Sequence, residues 1–163
     1  DFGAFTDHLK PLVLLALNTG MRRGESCSRT WDRIDWINKT LTIPASRAKS
    51  RQTRRIPLND EALNILLSLR NDDPDGELVF PNIDGDRLGS IKTAWKNLMR
   101  SAKIKDFHFH DCRHDFASQL RMRGVDLGII QELLGHSTIA MTQRYSHLGP
   151  GHLSAAVQKL VAR

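Results

Sequence analysis

Tyr145 is the only tyrosine in the 163-residue chain, and its phenol could act as a nucleophile. A phenol reacts poorly at neutral pH because its pKa is about 10 in water, so it needs a strongly electropositive site. The sequence offers five side chains that could build such a site: Arg22, Lys49, His110, Arg113 and His136. The alternative is that Tyr145 is a partly buried residue whose hydroxyl makes a structural hydrogen bond.

Two short motifs could bind a phosphate. His110 and Arg113 are three residues apart, so on a helix they share a face and can offer an imidazole and a guanidinium fork to one anion. Arg22 follows Gly20, which predicts a helix end, and Glu25 could hold that arginine in place. Each motif alone also fits a plainer role, as a solvated helix end or a weak exposed salt bridge.

A basic segment lies between two predicted strands. Five of the ten residues from 46 to 55 are basic and none is acidic. A hairpin tip with this charge can follow a DNA groove or backbone, and we predict that Arg47, Arg51 and Arg54 contact DNA. A plain solvated face is the alternative. Arg54 and Arg55 alternate across the strand, so at most one of them faces the core.

Composition limits the class of protein. The formal net charge of +6 favours a polyanionic partner such as nucleic acid, although many small proteins are basic without one. No apolar run approaches the roughly 20 residues of a membrane span. Two cysteines make no disulfide framework, which favours a reducing cytoplasm. His108, His110 and His114 have no obvious further ligands for a metal, so we expect neither a metal nor a cofactor.

Apolar periodicity predicts the elements that must position these side chains. The first helix is capped by Thr6 or Asp7 and ends at Gly20, and a short helix follows from Arg23. Three strands are expected around 33–36, 40–43 and 54–58. Further helices are expected from residue 59 or 60, and over 90–102, 110–123, 127–134, 137–146 and 152–162. The predicted fold class is α+β, mainly α, with a small three-stranded antiparallel sheet in one domain.

These segments, in this order, resemble the tyrosine recombinase (phage integrase) family. The family pattern is Thr-Gly-x-Arg-x-x-Glu, a hairpin lysine, His-x-x-Arg, Leu-Gly-His, and a tyrosine nine residues after that histidine. The matching positions here are Thr19–Glu25, Lys49, His110–Arg113, Leu134–His136 and Tyr145. Lys49 matches because it precedes Pro57 by eight residues, as in the family. Each motif alone is weak, but all five in register are highly specific.

The resemblance implies the DNA breaking-rejoining fold and a metal-free transesterification on double-stranded DNA. Tyr145 would attack the scissile phosphate, form a 3′-phosphotyrosine and release a 5′-hydroxyl. The 5′-hydroxyl of a partner strand would then reverse the step. Arg22 and Arg113 would clamp the non-bridging oxygens, and Glu25 would hold Arg22. Lys49 would protonate the leaving 5′-oxygen.

Two histidines complete the implied site. His110 would be the general base towards Tyr145 or a hydrogen-bond donor to the phosphate, and His136 would donate to a non-bridging oxygen. Two alternatives stay open. One is a type IB topoisomerase, whose closely similar site relaxes DNA; the other is a DNA-binding module in which Tyr145 is structural.

The resemblance also implies a longer protein. Family members usually carry a helical core-binding domain before the catalytic domain, and some carry an arm-binding domain before that. Residues 1–163 are therefore expected to be the catalytic domain alone. A homotetramer on DNA is expected of the full-length protein and a monomer of this domain. Accessory DNA-bending or directionality factors and a bacterial cytoplasm, with a bacterial or phage gene, complete the expectation.

One stretch departs from the family pattern. After Glu25 the family usually places apolar residues on a packing face, whereas this chain has Ser26, Cys27, Ser28 and Arg29. The helix that follows Arg22 is therefore expected to pack differently from its counterparts.

Overall fold

The computed structural model describes residues 8–46, 52–82 and 84–149. Several predicted features lie outside these ranges. They are Thr6 and Asp7, the hairpin residues Arg47, Lys49 and Arg51, and the C-terminal helix predicted over 152–162. The prediction that Thr6 or Asp7 caps the first helix is wrong, because that helix begins at Leu9 and its N-cap is His8.

A three-stranded antiparallel sheet is present, as the alternating pattern predicts. Its strands are β1 (Ile34–Asp35), β2 (Thr40–Ile43) and β3 (Arg54–Pro57), in the order β1-β2-β3. Leu41 pairs with both Ile34 and Ile56, and Ile43 pairs with Arg54. Leu41, Ile43 and Ile56 are fully buried, so one face of the sheet covers the core. Because side chains alternate along a strand, Arg54 lies on the same face as Ile56.

Helices make up most of the rest. The α-helices of the described ranges are α1 (Leu9–Thr19), α2 (Arg23–Ser26), α3 (Asp60–Asp72), α4 (Lys92–Ser101), α5 (Asp111–Met122) and α6 (Leu127–Leu134). Short 3-10 helices occur at Trp31–Arg33, Ile139–Met141 and Gln143–Leu148. The helices predicted from residue 59 or 60 and over 90–102, 110–123 and 127–134 are confirmed to within two residues. None of the helices in these ranges is long and apolar enough to cross a bilayer.

Helix α1 organises the packing. It packs against both α3 and α5, and its face formed by Leu12, Leu15 and Ala16 is inaccessible to solvent. It ends at Gly20, whose φ of 62° is the left-handed conformation that glycine adopts without strain. The larger core joins α1, α3 and the sheet. A smaller core contains Ala117, Ile130, Leu134 and Tyr145.

The single helix predicted over 137–146 is wrong. The chain instead forms the two 3-10 helices Ile139–Met141 and Gln143–Leu148, which meet at Thr142. Thr142 is fully buried, and its hydroxyl lies 2.9 Å from Nδ1 of His136. β-Branched residues have low helix propensity, and this buried side-chain contact favours a bend over a continuous helix. The bend determines where Tyr145 lies.

The polar stretch 26–29 is buried despite its composition. The hydroxyls of Ser26 and Ser28 donate to backbone carbonyls four residues earlier. Arg29 is 1% exposed and donates to the carbonyl of Thr42 and to that of Glu25 in the short helix before it. Burying a polar group is tolerated when its hydrogen bonds are satisfied. The expected difference in packing is therefore met with internal hydrogen bonds in place of apolar contacts.

Candidate active site

Arg22 projects from the junction between α1 and α2. Its backbone is extended, with φ −71° and ψ 151°, and it is the N-cap of α2. Glu25 accepts hydrogen bonds from the Arg22 backbone N–H at 2.9 Å and from its Nη1 at 3.1 Å. One carboxylate thus holds both the main chain and the side chain of Arg22, which agrees with the predicted contact.

Glu25 also binds a second arginine, which the sequence assigned to DNA. Arg54 donates through Nη1 at 3.1 Å and Nη2 at 2.7 Å to the two carboxylate oxygens. Both side chains are buried, at 7% and 3% exposure. Burial alone would raise the pKa of Glu25, but hydrogen bonds and charge from Arg54, and then from Arg22, hold it below its usual value. The prediction of Arg54 as a DNA contact is therefore corrected: its alternation along β3 turns it inward.

Gly135 lies directly against Arg54. It caps α6 with a φ of 62°, and a Cβ atom there would lie 3.0 Å from the Arg54 side chain. Glycine is thus required both by the left-handed backbone and by the close approach of the guanidinium. His136 follows this turn, so the Glu25–Arg54 pair supports two parts of the site.

Arg113 ties three elements together from α5. Its side chain is 2% exposed and donates to the carbonyl of Gly20 at 2.8 Å and to that of Leu134. These carbonyls are at the C-terminal ends of α1 and α6, where helices leave acceptors unsatisfied. Desolvation, followed by the charges of Arg22 and Arg54, lowers the pKa of Arg113 to about 9, so it stays protonated at neutral pH.

His136 and His110 are both neutral imidazoles near this charge. Desolvation and then the charges of Arg113 and Arg22 lower the pKa of His136 to about 4. Burial and then His114, Arg113 and Arg22 lower that of His110. His110 is exposed at the N-terminus of α5. Each ring can therefore donate one N–H to an anion without carrying charge itself.

Tyr145 meets a residue that the sequence did not select. Its hydroxyl oxygen is 2.6 Å from Nδ1 of His114, and its side chain is 5% exposed. Within the described ranges, no hydrogen bond joins this hydroxyl to His110 or His136. The i, i+4 spacing of His110 and His114 on one helix face was the signal that could have found this partner.

The remaining predictions concern the hairpin residues and metal binding. Lys49, Arg47 and Arg51 lie outside the described residues, so their predicted roles stay predictions. Across ranges 8–46, 52–82 and 84–149, no group of three or more His, Cys, Asp or Glu side chains could hold a metal ion.

The fold and these arginines define a class of protein. A helical domain with one small antiparallel sheet is the architecture of the catalytic domain of bacteriophage HP1 integrase. That structure matches with a TM-score of 0.71 and 29% identity over 94% of this chain and 82% of that one. The sequence profile of the phage integrase family matches residues 5–152. The chain belongs to the phage integrase family.

Two curated relatives are an integrase and a tyrosine recombinase. The integrase of Salmonella phage P22 is 32% identical over 93% of this chain and 42% of its own length. The tyrosine recombinase XerA of Pyrococcus furiosus is 35% identical over 91% of this chain and 53% of its own length. The chain thus spans about half the length of these relatives. These matches to integrases and recombinases do not favour the topoisomerase alternative.

Proposed function

We propose that the chain is the catalytic domain of a site-specific DNA recombinase. It cleaves and rejoins double-stranded DNA through a 3′-phosphotyrosine at Tyr145, with no metal or other cofactor. The observation that carries the proposal is the position of Arg113, which donates to the carbonyls of Gly20 and Leu134 and so lies beside the turns that carry Arg22 and His136. Its charge also acts on the pKa values of His110, His136 and Tyr145. One buried cation near a phenol and two neutral imidazoles is the environment that an attacked phosphate requires.

The arginines supply the electrostatic part of the reaction. The pentavalent phosphorane gathers negative charge on its non-bridging oxygens, and Arg22 and Arg113 present donors to it. Glu25 fixes Arg22 in advance, so little reorganisation is needed when the phosphate binds. Loss of one such preorganised donor typically costs about 3–4 kcal/mol of transition-state stabilisation.

The remaining groups handle hydrogen bonds and the proton of the leaving group. His136, with Nδ1 engaged by Thr142, is oriented to donate from Nε2 to a non-bridging oxygen. His110 is a second neutral donor at the N-terminus of α5. Lys49 protonates the leaving 5′-oxygen, which an arginine could not do because its pKa is too high.

The proposal extends to the binding partners and the cellular location of the protein. Double-stranded DNA is the substrate, and Arg47 and Arg51 contact its backbone. A full-length protein forms a homotetramer on DNA with accessory bending or directionality factors, and the isolated domain is a monomer. The net charge of +6 supports the DNA partner. The site of action is the cytoplasm. Light scattering with and without DNA tests the assembly.

Covalent capture tests the reaction itself. Duplexes with a randomised central sequence and a nick that releases a short strand are incubated with the chain in EDTA. Cleavage becomes irreversible when the short strand diffuses away, so the protein stays attached to the duplexes it recognises. We expect an adduct that survives denaturing electrophoresis and yields a phosphotyrosine peptide containing Tyr145. No adduct from any duplex would contradict the proposal.

A further inference from the structure

The contact between Tyr145 and His114 is the strongest feature that the proposed chemistry leaves unused. Their ring centroids are 6.1 Å apart at 47°, and the hydroxyl oxygen lies 2.6 Å from Nδ1. This distance is short even for a hydroxyl donor. The Gln143–Leu148 helix packs on α5, and Tyr145 belongs to the small buried core beside it. Packing of two elements therefore holds the two side chains in place.

The surroundings set the protonation state of the two side chains. Desolvation and then the charges of Arg144 and Arg113 lower the pKa of His114, while Asp111 on its own helix raises it. Desolvation raises the pKa of Tyr145, partly offset by Arg144 and Arg113. Both groups are thus neutral at pH 7. With the imidazole proton on Nε2, Nδ1 is an acceptor and the phenol donates the hydrogen bond to it.

We infer that His114 is the general base that takes the proton of Tyr145, an inference that rests on the proposed function. As the Tyr145 oxygen bonds to phosphorus, its proton passes to Nδ1 of His114, and the bond from phosphorus to the 5′-oxygen breaks with a proton from Lys49. In the reverse step the 5′-hydroxyl attacks phosphorus and gives its proton back to Lys49, while the phenolate leaves and takes the proton from His114. Atoms and charges balance without any further reactant.

The acidities of the phenol and the imidazole determine when the proton is transferred. Before attack the phenol holds its proton far more tightly than a histidine does, so the hydroxyl stays neutral and unreactive towards other electrophiles. Once its oxygen is part of a phosphate ester it is no longer basic, and transfer to His114 becomes favourable. The base therefore acts as the new bond forms.

The other two histidines are less suited to this step. Nδ1 of His136 is occupied by Thr142, and with a pKa of about 4 the ring is a weak base. His110 meets His114 edge to face, with ring centroids 5.0 Å apart. From that position His110 can polarise His114 and donate a hydrogen bond to the phosphate. The phenol, however, contacts His114 and not His110.

The contact can be tested without DNA because the chain has a single tyrosine. Protein labelled with 13C at the tyrosine Cζ gives one resonance, followed during an acid titration. We expect an inflection below pH 6.5, where His114 gains a proton and turns from acceptor to donor. The inflection should vanish in His114→Phe. It should persist in His147→Asn, because His147 is an exposed residue of the 3-10 helix that contains Tyr145. A flat wild-type titration would overturn the inference.

The role is tested on a duplex captured by the wild-type chain. His114→Asn keeps an acceptor oxygen near the phenol but cannot bind a proton, whereas His114→Phe loses both functions. We expect both variants to form the covalent adduct at least about 100-fold more slowly, and His147→Asn to match wild type. The loss should remain on a substrate with sulfur at the bridging 5′ position, because that leaving group needs no acid.

The outcomes separate the two proposals. If wild type forms no adduct with any duplex, the proposed function fails. If wild type reacts but His114→Asn keeps a rate within about threefold, the proposed function stands and His114 is not the base, since general bases contribute at least about a hundredfold. Recovery of His114→Asn on the 5′-sulfur substrate would place the defect at the leaving group and likewise overturn the inference.

Discussion

At the scale of single residues, the proposed nucleophile and the buried arginine of the site have unequal environments. Tyr145 is in contact with His114 and belongs to the smaller core, whereas Arg113 donates to two backbone carbonyls. Removing the hydroxyl of Tyr145 should change the reaction alone. Changing Arg113 should change both the reaction and the stability of the fold.

Tyr145→Phe is expected to abolish the covalent adduct and leave DNA affinity nearly unchanged. The substitution removes only the hydroxyl, so the ring still fills the small core. Denaturing gels measure the adduct and gel-shift assays measure affinity on the same captured duplex. An adduct of undiminished yield would contradict the assignment of the nucleophile.

Arg113→Lys is expected to fail although it preserves charge. An ammonium cannot span the carbonyls of Gly20 and Leu134 and also present a fork to phosphate. We expect a loss of about 1–3 kcal/mol in the free energy of unfolding and at least about 100-fold in adduct rate. Arg123→Lys is the matched control, because Arg123 is exposed at the end of the same helix and donates only within it. Equal behaviour of the two variants would refute the argument.

At the scale of elements, β3 separates two adjacent arginines. Arg54 is turned into the core against Glu25, whereas Arg55 is exposed on the opposite face of the strand. The difference comes from strand alternation and from the register that pairs Ile43 with Arg54. Through Glu25, a residue on the sheet therefore acts on the position of Arg22.

Arg54→Met and Arg55→Met test this separation. Removing Arg54 leaves Glu25 buried with one partner instead of two, and breaking a buried ion pair costs about 3–5 kcal/mol. We expect a loss of that order in urea unfolding at pH 7, and a slower adduct rate because Arg22 is less firmly held. Arg55→Met should change stability by less than about 0.5 kcal/mol. Similar losses in both variants would mean that the register is misassigned.

At the scale of the whole molecule, packing keeps three histidines neutral. His110 and His114 on α5 and His136 after α6 all have folded pKa values below the unfolded value of 6.5. The unfolded chain therefore binds more protons than the folded one once the pH falls below 6.5. Part of the stability of the molecule is thus linked to the charge of its site.

The free energy of unfolding is expected to fall as the pH drops from 6.5 towards 4. The sign follows because protonation of these imidazoles is favoured in the unfolded state, and His136 resists it until about pH 4. Urea titrations at several pH values measure the slope. His136→Asn should reduce the slope and the exposed His147→Asn should leave it unchanged. A steeper slope in His136→Asn would contradict the assignment.

Much of the fold was readable because its signals are local. The alternation in 40–43 and 54–57, the glycine after α1 and the apolar spacing of α6 each depend on neighbours along the chain. The prediction of one helix over 137–146 was wrong because the conformation there depends on the burial of Thr142 against His136. Helix periodicity in the sequence carries no information about that contact.

The sequence by itself determined the family and the candidate residues, because five short motifs in register need no knowledge of packing. It also determined that Arg54 and Arg55 take opposite faces. Only the tertiary structure decided which of the two faces inward, and that Tyr145 meets His114. Those residues are 31 positions apart, and their contact depends on how the bent segment after α6 packs on α5. The partner of the proposed nucleophile therefore depends on that packing.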